Sequence, residues 1–154
     1  MLFLPQSIHL QRTREGAKQV CRATRGSFGY DLAAVGPHTI PPHQTVVVPT
    51  GFKLASPLPK APSGEAGLAM LILPRSSLPI KYGLIVANAP GLIDADYTGE
   101  IGVIVHNITD KYVNLADGMR IAQALFVWVA LPVVDEVADF EAREERGGFG
   151  STGA

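Results

Sequence analysis

Several things are scarce in this sequence, and each shortage closes off a class of protein. It holds one cysteine, Cys21, so an intrachain disulfide is impossible, which fits a reducing compartment. No neighbouring base marks that thiol as a nucleophile. The four histidines (His9, His38, His43 and His106) lack zinc-ligand spacing and have no cysteine set to join. Nor does charge of one sign accumulate. Lys and Arg number 13 against 14 Asp and Glu, a formal net charge of -1, which offers no broad footprint for nucleic acid or an anionic membrane. The basic residues near the start (Arg12, Arg14, Lys18, Arg22, Arg25) are interrupted and read as a solvated surface. Long apolar runs are missing too: AQALFVWVALPVV is too short to span a bilayer and is broken by Pro132. The opening MLFLPQSIHL has neither a basic region nor a small-residue cleavage site, and is expected to form a first strand rather than a signal peptide. The expected compartment is the cytoplasm, with neither nucleic acid nor membrane as partner.

What is present is a chain of 154 residues, 47% apolar and 18% charged, enough for one domain with its own core. Its 16 glycines and 12 prolines punctuate short runs rich in Val, Ile and aromatics. Strands are expected at residues 7–10, 45–50, 68–73, 84–86, 101–106, 121–129 and 133–137. Helical periodicity is weak everywhere, and only a short turn over residues 76–81 is expected. This pattern predicts an all-β fold, a sandwich or barrel of jelly-roll type. Residues 56–67, SPLPKAPSGEAG, read as an exposed loop, and the ending EAREERGGFGSTGA reads as a separate arm because Phe149 stands alone in a Gly/Ser/Thr stretch.

Five segments have residue types suited to chemistry. In GLIDADYTGE (residues 91–100), Asp94 and Asp96 alternate around Ala95, so on a strand or hairpin arm both carboxylates face one way. A carboxylate placed there can bind metal, accept a hydroxyl or draw a proton from water; the plain alternative is a polar hairpin. Just upstream, Asn88 carries an amide able to read a base edge with paired donor and acceptor. PRSSL (residues 74–78) combines an arginine with serines and backbone amides at a turn, suited to an anion or to a simple serine N-cap. GYDLAA (residues 29–34) sets Asp31 among apolar neighbours, where a carboxylate needs a partner. GMRIAQALF (residues 118–126) brings Arg120 and Gln123 to the start of an apolar strand. GGFGSTG (residues 147–153) can cradle phosphate with amides and the Ser151 and Thr152 hydroxyls, but lacks a P-loop lysine.

Together, and in their order along the chain (GYDLAA, PRSSL, GLIVANAPGLIDADYTGEI, GMRIAQ, GGFGSTG), these segments resemble the five motifs of the homotrimeric dUTP pyrophosphatase (dUTPase) family, from about Gly29 to Gly153. The resemblance implies a distorted jelly-roll β-barrel over residues 1–138 and a flexible C-terminal arm, residues 139–154, reaching a neighbouring subunit. It implies a homotrimer with shared active sites that hydrolyses dUTP to dUMP and pyrophosphate, limiting uracil in DNA and supplying dUMP for dTMP synthesis. Carried over by position, Asp94 is the general base and Asn88 binds uracil with help from the backbone near Gly91. Tyr97 packs against deoxyribose and excludes a 2′-hydroxyl. Arg75, Ser76, Ser77 and Gln123 reach the phosphates or nearby water. Phe149 stacks over uracil beside Gly150 and Ser151, and Asp31 holds Mg²⁺ through water, the ion resting mainly on substrate phosphates.

One departure stands out. The family's fifth motif carries an arginine before its glycines where this chain has Glu144, so Arg146, or else Arg143, is expected to take its place. Two alternatives stand beside the pyrophosphatase. A dCTP deaminase of the same fold carries a glutamate where Ile104 stands here, and a non-catalytic dUTPase-like binding protein remains the reading from another class.

Overall fold

The computed structural model describes residues 7–138. Eleven strands and one short helix run in the order β1 (Leu10–Arg12), β2 (Tyr30–Ala33), β3 (His38–Ile40), β4 (Thr45–Pro49), β5 (Phe52–Leu54), β6 (Ala66–Pro74), α1 (Ser77–Tyr82), β7 (Leu84–Val86), β8 (Gly91–Ile93), β9 (Gly102–Asn107), β10 (Val113–Leu115) and β11 (Arg120–Ala130). Pairing is antiparallel throughout. A four-stranded sheet has the order β2-β11-β6-β8 and a three-stranded sheet the order β4-β9-β7, while β1-β5 and β10-β3 are two-stranded. The described strands thus form an open, distorted jelly roll rather than one continuous hydrogen-bonded barrel.

Alternation explains which faces meet. Along β9, Val103, Val105 and Asn107 point inward while Ile104 and His106 point out. Leu84 and Val86 on β7 and Val48 on β4 join the inner set, opposite Leu32, Met70, Ile72 and Ala124 of the larger sheet, in one core cluster. Asn107 is a fully buried polar group with every need met. Its Nδ2 donates to the carbonyls of Ile40, Pro41 and Lys111 at 3.0, 3.1 and 2.7 Å, and its Oδ1 accepts from the Thr109 amide and hydroxyl at 2.9 and 2.8 Å. It staples the turn after β9 to the turn after β3.

The expected strands at 45–50, 68–73, 84–86, 101–106 and 121–129 correspond to β4, β6, β7, β9 and β11. Two expectations need correction. Residues 7–9 are irregular and the first described strand is Leu10–Arg12, because pairing starts where Leu10 meets Leu54. Residues 133–137 form no strand: among the described residues they have no ladder partner, and Val133 and Val134 are 86% and 89% exposed. Short strands β2, β3, β5, β8 and β10 were not expected, since three or four residues show too little alternation to stand out from loops. The loop expected at 56–67 ends earlier, at Glu65, because Ala66 and Gly67 already pair in β6; it is exposed for the most part, but Leu58 dips into the core. No described helix is long and apolar enough to cross a membrane.

Candidate active site

The four-stranded sheet gathers one set of charged side chains. Asp31 on β2 faces Gln123 on β11, and Gln123 in turn pairs with Leu73 near the end of β6. Arg75 follows β6 directly. Asp31 is only 8% exposed, yet its carboxylate is satisfied twice: Arg75 engages Oδ1, and Arg120 donates to Oδ2 at 2.9 Å. Burial, and then the nearby charge of Arg120, lower the pKa of Arg75 from its ordinary value. It stays cationic at any physiological pH. Two arginines against one carboxylate leave this corner positive.

Two clefts flank the group. One, of about 220 Å³, is lined by Asp31, Arg75, Ser76, Gln123, Gly29, Ser27 and Ala23. The other, of about 200 Å³, is lined by Arg75, Arg120, Ser77, Lys81, Tyr82 and Met119. The expected turn after PRSSL is α1, with Ser76 as its N-cap residue; the Ser76 side chain makes no capping bond, so its hydroxyl is not spent on the helix. Gln123 donates to the Pro74 carbonyl at 3.0 Å. Its side chain lies flat on Gly29: a Cβ built there would overlap Oε1 and come within 2.9 Å of Cδ. The motif glycine is therefore a matter of close approach rather than of turn geometry. Such a pair of cationic, hydroxyl-lined clefts suits a polyanion.

A second set of candidates sits on the far strand. Asn88 lies in the turn joining β7 to β8, its amide folded against Gly91, where a Cβ would come within 3.0 Å of Nδ2. Asp94 comes just after β8, and the expectation that Asp94 and Asp96 share one face of a strand is corrected: residues 94–97 form a turn closed by Tyr97 N–H donating to the Asp94 carbonyl at 3.2 Å. The amide of Leu58 donates to the Ala95 carbonyl at 2.8 Å, tying this turn to the loop at 56–65. Asn88, Asp94 and Asp96 are exposed. Among the described residues the Asp94 carboxylate has neither a hydrogen bond nor a cation.

The structure does not bring the two sets together within one chain. Asp31, Gln123, Leu73 and the β8 neighbour of β6 occupy successive strands, so the sheet separates Asp31 from the Asn88–Asp94 region by about 14 Å. Asn88, Asp94 and Tyr97 line neither cationic cleft. Arg146, Phe149, Gly150 and Ser151 lie outside the described residues, as does Arg143. Among those described, no group of three or more His, Cys, Asp or Glu side chains forms a metal cage. The positions that sequence reading passed over as site residues are Arg120, Lys81, Ser27 and Gly29. Of these only Arg120 and Gly29 carried a signal, as members of GMRIAQ and GYDLAA.

Comparison with known proteins bears on the assembled picture. A profile of the dUTPase family matches residues 15–153. A deoxyuridine 5'-triphosphate nucleotidohydrolase of Picosynechococcus sp. is 44% identical, over 83% of this chain and 85% of its own length. One from Methylocella silvestris is 41% identical, over 97% of this chain and 93% of its own. The dUTPase of Staphylococcus bacteriophage 80alpha, solved with dUPNHPP, has the same fold at a TM-score of 0.81 and 23% identity, covering 97% of this chain and 100% of that one. A mutant dUTPase from phage phi11 of S. aureus, described with a structural Mg(II) ion, superposes at a TM-score of 0.74 and 20% identity, over 89% of this chain and 100% of that one. This chain belongs to the dUTPase family.

Proposed function

We propose that this protein hydrolyses dUTP to dUMP and pyrophosphate, and so limits uracil in DNA while supplying dUMP for dTMP synthesis. The observation that carries the reading is the presence, along one sheet of a chain of this family, of both a cationic corner at Arg75 and Arg120 and, apart from it, an exposed Asp94 without a partner among the described residues. Water adds to phosphorus while the bond between the first and second phosphates breaks. Asp94 takes the proton released by that water. Arg75, the hydroxyls of Ser76 and Ser77, and Gln123 hold the phosphates and the water, and offset charge that grows on oxygen. Asn88, with the backbone near Gly91, pairs with uracil; cytosine would leave these groups unmatched at about 1–3 kcal/mol each. Tyr97 packs against deoxyribose.

Asp31 is a single carboxylate already held by two arginines, which fits a contact to Mg²⁺ through water rather than direct ligation. Bound Mg²⁺, resting mainly on the substrate phosphates, would supply further charge neutralisation there.

The working unit in this reading is a homotrimer, with residues 1–138 as the barrel and 139–154 as an arm that reaches a neighbouring subunit. Three features support it: the separation of the two residue sets across the sheet, the exposed Val133, Val134 and Val137, and the exposed Val47 and Ile85 on the outer face of the three-stranded sheet. The arm brings Phe149, Gly150 and Ser151 over the nucleotide, and Arg146 to the terminal phosphate in place of the arginine displaced by Glu144. The compartment is the cytoplasm.

Incubation of the pure protein with Mg²⁺ and dUTP, dCTP, dTTP or UTP, separately, tests the reading. Pyrophosphate from dUTP alone is the expected result; ammonia from dCTP, or no product, overturns it. For the arm, Arg146→Ala should raise KM while Arg143→Ala should not.

A further inference from the structure

Tyr97 does not stand free on its turn. Its hydroxyl donates to the Glu100 carbonyl at 3.2 Å, and its ring lies directly over Gly99. A Cβ built on Gly99 would overlap Tyr97 Oη and come within 2.7 Å of Cζ and 3.2 Å of Cε2. The backbone of Gly99 has no positive φ, so its glycine is there for space and not for conformation.

The Glu100 side chain is held by two partners. Its two carboxylate oxygens both accept from Arg14 Nε at 2.9 Å, and Oε1 also accepts the Gly51 amide at 3.0 Å. The next residue is locked in turn: Ile101 N–H donates to the Phe52 carbonyl at 2.8 Å, and the Ile101 carbonyl accepts from the Thr50 hydroxyl at 2.6 Å. The Glu100 carbonyl that receives the tyrosine is therefore a fixed point tied to the body of the fold. One side of the Tyr97 ring is backed by Gly99, and the residue is still 42% exposed, so a face remains open to a ligand.

We propose that Gly99 and Glu100 are specificity-determining positions, which hold the Tyr97 ring as a rigid wall and thereby set the discrimination between deoxyribose and ribose nucleotides. The inference rests on the reading above that Tyr97 packs against the sugar. A wall excludes a single hydroxyl only if it cannot swing away. The bare Gly99 surface and the anchored Glu100 carbonyl remove that freedom, while the Arg14 pair holds the carbonyl's own residue in place. Gly99, Glu100 and Arg14 act through Tyr97 as positioning residues and touch no reacting atom.

The test is the ratio of kcat/KM for dUTP to that for UTP in the full-length protein. Gly99→Ala lifts the ring and breaks its bond to Glu100, so the ratio should fall about tenfold or more, the scale of discrimination a pocket wall provides. Turnover at saturating dUTP should drop far less. Tyr97→Phe removes the hydroxyl anchor alone and should lower the ratio by a smaller factor, which keeps the idea testable if Gly99→Ala folds poorly. Arg14→Ala should lower it too, with Arg14→Lys restoring part of the loss. An unchanged ratio in Gly99→Ala and Tyr97→Phe, or an equal fall for both nucleotides, would overturn the proposal. Tyr97→Ala separates this from the premise: if it leaves the ratio intact, the sugar-packing role itself is wrong; if it alone relaxes the ratio, only the positioning roles fail.

Discussion

Arg120 donates to the Asp31 carboxylate at 2.9 Å because a bulge in β11 puts the two residues on one face. Gln123 pairs with Asp31 and Ala122 with Leu32, but Ala33 meets Arg120 instead of Ile121. The extra residue leaves Ile121 and Ala122 buried in succession and turns Arg120 to the side that Ala33 and Asp31 share. Asp31 is the hub of this corner. Asp31→Asn would leave Arg75 and Arg120 as adjacent cations without a counter-charge, at a cost of about 2–3 kcal/mol in stability. Arg120→Ala removes a side chain that is half exposed and should cost under about 1 kcal/mol. Urea denaturation of the two variants checks this, and equal losses would show that Asp31 is not the hub.

Asp94 presents the opposite case. It is exposed, and among the described residues nothing pairs with its carboxylate, so folding does not depend on it. Asp94→Asn keeps the shape but cannot take a proton. We expect kcat to fall by about 10²–10⁴-fold, the usual contribution of a general base, with Tm unchanged. A large loss of Tm, or a loss confined to KM, would remove Asp94 from the role of base.

The close contact between Gly29 and Gln123 makes a sharper forecast. An alanine at position 29 has to push the Gln123 amide out of the cleft, since its methyl would occupy the place of Oε1. Loss of one hydrogen bond to phosphate or its water corresponds to about 1–1.5 kcal/mol, or roughly five- to tenfold in kcat/KM. Gly29→Ala and Gln123→Ala should therefore share one kinetic phenotype, and the double variant should be no worse than either. Additive losses in the double-mutant cycle would separate the two residues.

The sequence made the long strands and the chemical residues legible, for different reasons. β6, β9 and β11 carry enough Val, Ile and Leu to show their period or their burial. Asp31 declared itself as a carboxylate among apolar neighbours. That Arg120 is its partner did not show, because regular alternation along β11 places that arginine on the face away from Gln123 and a bulge has no signature in GMRIAQ. The Asp94–Asp96 spacing looked like one face of a strand because period-2 reasoning holds only while the chain stays extended, and β8 stops at Ile93. Contacts between remote segments, such as Arg14 with Glu100 or Leu58 with Ala95, leave no local pattern at all.

The distance between the two residue sets leads to a test of the shared site. If Asp94 of one subunit serves the Arg75 corner of another, two inactive variants can repair each other. Asp94→Asn retains an intact phosphate corner, and Arg75→Ala retains an intact base; neither homotrimer has a complete site. A mixed trimer has one complete site, in which the base comes from the Arg75→Ala chain and the corner from the Asp94→Asn chain. Equal amounts of the two chains, unfolded and refolded together at random, should therefore recover roughly a quarter of the wild-type activity per site. The same variants refolded apart and then mixed should recover none while exchange is slow. If co-refolding restores nothing although mixed trimers form, each chain builds its own site, and the sheet that keeps Asp31 from Asp94 has to be bridged by the arm instead.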